Sequence, residues 1–236
     1  MSSSATAPAV LLPGPLATMG NIFLAPAAAA RGIPRPCSWP WPLAIAATVT
    51  GAASTLLIPA TLRVMQLDPP RGMSAEQLER SLGTIEMFAR IGAVMAPVTM
   101  AAVLSALAGV LFVTCSMTGI PASYRNLFSL LAHCSLISIL QLIAGFVVVR
   151  LKGDDIQTLE QLRPSFGVGL FLGEDTGRVL RAVLDYFSVF TLWYIGALVA
   201  GLAALTGTSR AKAFLVSIPV WLLPLLVTAG GAVFRR

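Results

Sequence analysis

The chain has 236 residues, 56% of them hydrophobic and only 11% charged, with a mean hydropathy of +0.83 and a formal net charge of +6. A soluble domain carries about 25% charged residues, so a soluble enzyme and a disordered chain are excluded. So is a transmembrane barrel, whose strands would alternate apolar and polar residues where these stretches run solid.

Residues 1–17 are Ser, Ala, Pro and Leu without a period and read as a disordered tail. They do not form a signal peptide, because the first positive charge is Arg31 and the apolar run is broken by Pro8, Pro13, Pro15 and Pro26. Next comes Gly20-Asn21-Ile22-Phe23-Leu24-Ala25-Pro26, too short to span and expected to lie on the membrane surface. Trp39 and Trp41 stand directly before the first long apolar run, at the headgroup level that indoles prefer.

Five charge-free stretches follow, at residues 42–62, 91–124, 126–149, 186–209 and 213–234. Each reaches the roughly 20 residues that a bilayer crossing needs. The expected fold is therefore all-α: a polytopic five-helix transmembrane bundle with short interfacial helices. One domain covers residues 18–236, with spans at about 42–62, 91–116, 127–149, 185–206 and 212–234. Before the second span, Ser74 and Gln77 form a capping box and Leu78, Leu82, Ile85 and Ala89 recur at helical spacing, which predicts a short amphipathic helix over residues 74–90. It should shelter its apolar residues on the membrane surface or against the bundle. The brief loops at residues 119–125 and 207–212 force antiparallel hairpins. The third loop mixes five acids with five bases and carries the apolar patch Phe166-Gly167-Val168-Gly169-Leu170-Phe171-Leu172, suited to dipping into the interface.

Helices in lipid associate through close backbone approach, which small residues four apart permit. Such rows occur at Ala47, Gly51 and Thr55; at Ala101, Ser105 and Gly109; and at Gly196, Ala200 and Ala204, beside Ala197 and Gly201. Static packing is the plainer explanation of the rows and a partner-binding face the functional one. The fourth span adds Trp193 and Tyr194, with Asp185 one turn after Arg181, and is expected to be the central packing element and to carry any partner contact. Its Asp185 is read first as a surface ion pair and second as a partner contact. In the third span Cys134, Ser138, Gln141 and Gly145 share one helical face, either bonding to a neighbouring helix or lining a polar path. His133, the only histidine, reads as structural. Pro97, Pro219 and Pro224 lie inside spans and kink them.

No chemistry-bearing pattern stands out. Cys37, Cys115 and Cys134 lack ligand spacing, there is no His-Glu-x-x-His or phosphate loop, and no span holds two aspartates. Catalytic, cofactor and metal residues are therefore expected to be none. The 16 Lys and Arg are scattered one or two per loop, so nucleic acid is not an expected partner.

The order of features resembles the bacterial branch of the Yip family, membrane proteins first known as Rab-interacting factors in eukaryotic vesicle traffic. The likeness covers roughly residues 18–234. It rests on the patch from Ile22 to Pro26, the Ser74-Ala75-Glu76-Gln77-Leu78-Glu79 helix start, and Leu184-Asp185-Tyr186-Phe187-Ser188-Val189-Phe190-Thr191-Leu192-Trp193-Tyr194 running into Gly196 and on to Thr206-Gly207. The resemblance implies a five-helix membrane domain with a cytoplasmic N-terminus and no enzymatic activity. It also implies partners among other membrane proteins, an exporter complex included, besides the lipid bilayer; a homo-oligomer is a further option. Residues 1–40 carry no acid, unlike the longer acidic region of eukaryotic members, so GTPase binding is not expected. Fourteen Arg against two Lys suits a bacterium with a GC-rich genome, so the expected location is the bacterial inner membrane. The leading expectation is a non-enzymatic accessory or scaffold protein; the alternative is a small transporter or channel with a path through Cys134, Ser138 and Gln141.

Overall fold

The computed structural model describes residues 14–34, 38–67, 69, 74–159, 161–162, 164–171 and 177–234. Most of the expected tail, and Cys37, lie outside them. The described chain is all-helical: α1 (Pro15–Leu24), α2 (Pro26–Gly32), α3 (Pro40–Leu67), α4 (Ala75–Met117), α5 (Tyr124–Lys152), α6 (Arg178–Tyr186), α7 (Val189–Thr206) and α8 (Arg210–Phe234), with short 3-10 turns at Gly153–Asp155 and Val168–Phe171. Helices α3, α4, α5, α7 and α8 are each long and apolar enough to cross a membrane.

Local sequence explains the helix ends. Ser74 and Gln77 close the capping box in both directions, at 3.2 and 2.9 Å. Ser123 and Ser188 accept backbone N–H groups at the starts of α5 and α7, and Gly207 ends α7 with a left-handed φ of 70°. The amphipathic helix over residues 74–90 does not stand apart. It continues into the second span as one 43-residue helix, about 64 Å long and so longer than the hydrocarbon core. Its Leu78, Leu82 and Ile85 are half-buried, while Arg80–Glu76 and Arg90–Glu86 pair along the exposed side.

Two expectations change. Residues 20–26 do not form one separate segment. Pro26 starts a new helix at Ala25, so α1 and α2 fold back on each other as a hairpin that packs on α5 and α7, with Ile22, Ala29 and Ile33 in the main core. That hairpin also alters which helix is central. Every residue over 127–137 of α5 is buried, whereas α7 keeps an exposed side. The third span, and not the fourth, is thus the axis of the bundle, because the N-terminal hairpin covers flanks that five spans alone would leave bare.

The interior prolines organise the contacts between helices. A helical proline kinks its helix and offers no N–H to the carbonyl four residues back, here Leu215, Val220, Thr55 or Ala93. In lipid such groups must find donors elsewhere. In α8, Thr114 of α4 donates to the carbonyl of Val216, three before Pro219, at 3.0 Å, and Tyr186 of α6 donates to that of Trp221, three before Pro224, at 2.6 Å. Arg150 reaches the carbonyl of Leu56, three before Pro59 in α3, at 3.5 Å, and Trp193 donates to the carbonyl of Phe23 in the last turn of α1 at 3.0 Å. Pro97 frees the carbonyl of Ala93, on which α3 closes through Gly51: a side chain there would begin 2.8 Å from that oxygen. Only a glycine Cα–H fits the space.

These donors predict a graded loss. Thr114→Val and Tyr186→Phe should each lower stability by about 0.6–2 kcal/mol, read as lower melting temperatures in detergent. Thr228→Val, whose exposed hydroxyl serves its own helix, should leave it unchanged.

Candidate functional site

The fourth span brings the expected functional residues onto two helices instead of one. It breaks at Phe187, where Ser188 caps α7 and leaves Asp185 behind on α6. The chain at this break is gripped by the loop before it. Ser165 donates to the Asp185 carboxylate at 2.5 Å and accepts from the amide of Gly167, while the amide of Val189 donates to Phe166 at 3.4 Å. Phe166 meets Phe190 edge to face at 5.6 Å. Both loop glycines are required by the closeness of the fit. A side chain on Gly167 would begin 2.7 Å from the carbonyl of Leu184, and one on Gly169 would collide with the Asp185 carboxylate. The apolar patch over residues 166–172 therefore packs Phe166 inward and leaves Val168 and Phe171 exposed, with Leu172 outside the described residues. Ser165, Gly167 and Gly169 were missed in the sequence, although a Ser-x-Gly-x-Gly run in an apolar loop is a signal for close backbone approach.

On α7 the two small-residue rows part company. The Ala197–Gly201 row faces inward: Ala197 is buried, and a side chain on Gly201 would begin 2.6 Å from Leu130 of α5. The Gly196, Ala200, Ala204 row faces away. Gly196 and Ala204 are exposed, Ala200 is half-buried, and an added carbon at Gly196 meets nothing within 4 Å. Val189 and Leu192 extend this outer face and are likewise exposed. Trp193 turns its indole to the α1–α2 hairpin, with Phe23 edge to face at 5.9 Å, and Tyr194 packs against the main core. The outer face thus consists of Val189, Leu192, Gly196, Ala200 and Ala204, without the two aromatics.

The polar row of the third span is divided among three surroundings. Cys134 is fully buried, Ser138 is exposed, and Gln141 accepts from Ser188 at 3.4 Å where α5 meets the start of α7. Gly145, the fourth residue, lies under Pro164 and Phe166. His133 is buried, its Nδ1 2.7 Å from the carbonyl of Ser129 one turn earlier. A groove of about 250 Å³ lies between α3 and α4, lined by Gly51, Thr55, Arg90, Ala93 and Val94, and opens to the outside. Among the described residues no three His, Cys, Asp or Glu side chains gather as a metal site.

A model of the Yip1 domain matches residues 20–231 of the chain. No curated protein and no solved structure matches it.

The split of the two rows yields a prediction. Gly201→Leu should cost about 1–3 kcal/mol of stability by overfilling the contact with Leu130, whereas Gly196→Leu should leave the melting temperature unchanged. Thermal unfolding of the two variants in detergent checks the difference.

Proposed function

The chain belongs to the Yip1 domain family, and from that membership we propose that this multi-pass membrane protein is a non-enzymatic accessory or scaffold that binds other membrane proteins through the outer face of α7. The observation that carries the reading is the asymmetry of that helix. One small-residue row is used up by α5, and the other stands open where a partner's backbone can approach closely. Association through such a face needs no charge, and the span from Val189 to Thr206 contains none.

Candidate partners are other polytopic proteins, an exporter complex among them, and a second copy of the chain. Asp185 and its loop clamp sit at the start of α7 and fix the angle at which the face is presented. The family resemblance is what supports a cytoplasmic N-terminus in a bacterial inner membrane; the loops on that side would carry Arg31, Arg35, Arg125, Arg210 and Lys212 and no acid. The opposite loops hold more bases and nearly all the acids, and a plain base count would favour the other orientation. The transporter alternative draws less support, since Cys134, Ser138 and Gln141 do not share one open surface.

Two outcomes are expected. A photo-crosslinking residue at Ala200 should form adducts with a membrane protein in native membranes, and one at Leu215, exposed on α8, should not. Equal adducts from both, or none from Ala200, would remove the α7 face from the reading. A reporter fused after Arg236 should be active only outside the cytoplasm; activity inside would reverse the orientation.

A further inference from the structure

The α1–α2 hairpin carries a single charge, Arg31 in the last turn of α2. Ile22, Ala29 and Ile33 are buried in the bundle, yet the side turned away from it is apolar too, with Leu16 81% and Leu24 90% exposed. No charge occurs between residues 14 and 30. A helix resting on a membrane surface needs a polar face along its length for water, whereas α1 offers only the half-buried Asn21 besides the buried Thr18, and α2 only Arg31 in its last turn. At seven and ten residues, neither is long enough to cross.

Its two ends lie at one level. Thr18 abuts Gly32, so tightly that no side chain fits at Gly32, which sets α1 and α2 antiparallel. Immediately beyond α2, Ser38 donates to Ser129 at 3.2 Å and Trp39 meets Phe128 edge to face at 5.4 Å, both at the charged start of α5 near Arg125. The turn at Leu24–Ala25 lies far from there. Phe23 is bonded to Trp193, and α7 runs antiparallel to α5 with Ser188 at Gln141 and Gly201 facing Leu130. Trp193 is therefore level with the middle of α5, about 18 Å below Arg125 at 1.5 Å per residue, or roughly half the hydrocarbon core.

A chain that turns at this depth carries helix-end carbonyls that lipid cannot satisfy, and irregular backbone there is tolerated only where protein covers it. At the tip Leu24 and Ala25 are exposed, but the carbonyls of Asn21, Phe23 and Ala25 are each met by a donor. The Ala25 amide donates to Asn21 at 2.7 Å, the amides of Ala28 and Ala29 donate to Ala25, and the indole of Trp193 closes the Phe23 carbonyl. We propose that residues 14–34 form a re-entrant helical hairpin that enters and leaves the bilayer on one side, with Trp193 as the latch on its tip. The hairpin contributes a sixth membrane-embedded element without changing the topology of the five spans.

Depth measurement tests this in the full chain. Spin labels at Leu16→Cys and Leu24→Cys, with Cys37 replaced by Ser and the buried Cys115 and Cys134 retained, touch no packed side chain. In lipid bilayers, relative collision rates with oxygen and a nickel chelate should place the Leu24 label about 12 Å deeper than the Leu16 label and level with one at Leu192. Equal, shallow depths at both sites would overturn the hairpin. Trp193→Phe keeps the ring but removes the donor, and should raise the Leu24 label toward the surface or free its motion. An unchanged Leu24 spectrum in Trp193→Phe would overturn the latch while leaving the hairpin to stand on the two depths.

Discussion

A backbone carbonyl in hydrocarbon has no water to turn to, and this chain places four prolines inside helices, each of which leaves a carbonyl without its helical donor. Side chains of neighbouring helices donate to carbonyls beside three of these kinks and to one at the end of α1. Thr114 and Tyr186 tie α4 and α6 to α8, Arg150 ties α5 to α3, Trp193 ties α7 to the N-terminal hairpin, and Gly51 lets α3 close over Ala93. A polar contact of this kind contributes only about 0.6 kcal/mol on average. Their value lies in direction. Apolar side chains in lipid do not select among neighbours, whereas a donor that must meet one carbonyl fixes which helix stands beside which and at what height.

Around that framework α5 is enclosed almost completely in its first half, and the enclosure depends on the short helices as much as on the long ones. Leu130 fills the notch at Gly201, Phe128 supports Trp39, and Ile22 and Ile33 join the same core. Near the other end a second, smaller core of Val64, Val149 and Ile156 is joined by the exposed Arg63–Asp154 pair, which contributes little by itself but ties α3 to the end of α5.

Helix α7 is where these arrangements meet. Its first turn is held by the loop that clasps Asp185, its indole holds the hairpin tip, and its inner glycine admits α5. Only the outer row is left without a neighbour. Any partner docking there would press on a helix that is already fixed at its base and along two sides, so the face is presented rigidly and the binding side need not be ordered on contact.

The sequence by itself determined what depends on near neighbours in the chain. Run length and lack of charge gave the five spans; Ser74 with Gln77 gave the start of α4; the order of motifs from Ile22 to Thr206 gave the family. It also showed that Gly196 and Gly201 lie on adjacent small-residue rows, but not that one is filled and the other open, since both read alike until Leu130 is placed opposite one of them. The hairpin was invisible for a similar reason. Seven to ten apolar residues fit a surface helix or an inserted one equally well, and only the meeting of Phe23 with Trp193, 170 positions apart, sets the depth. The grip on Asp185 likewise joins residues 20 positions apart. What only the tertiary structure decided is which donor answers which carbonyl, because a hydrogen bond between distant helices depends on height and facing, and neither is written in the local pattern of either helix.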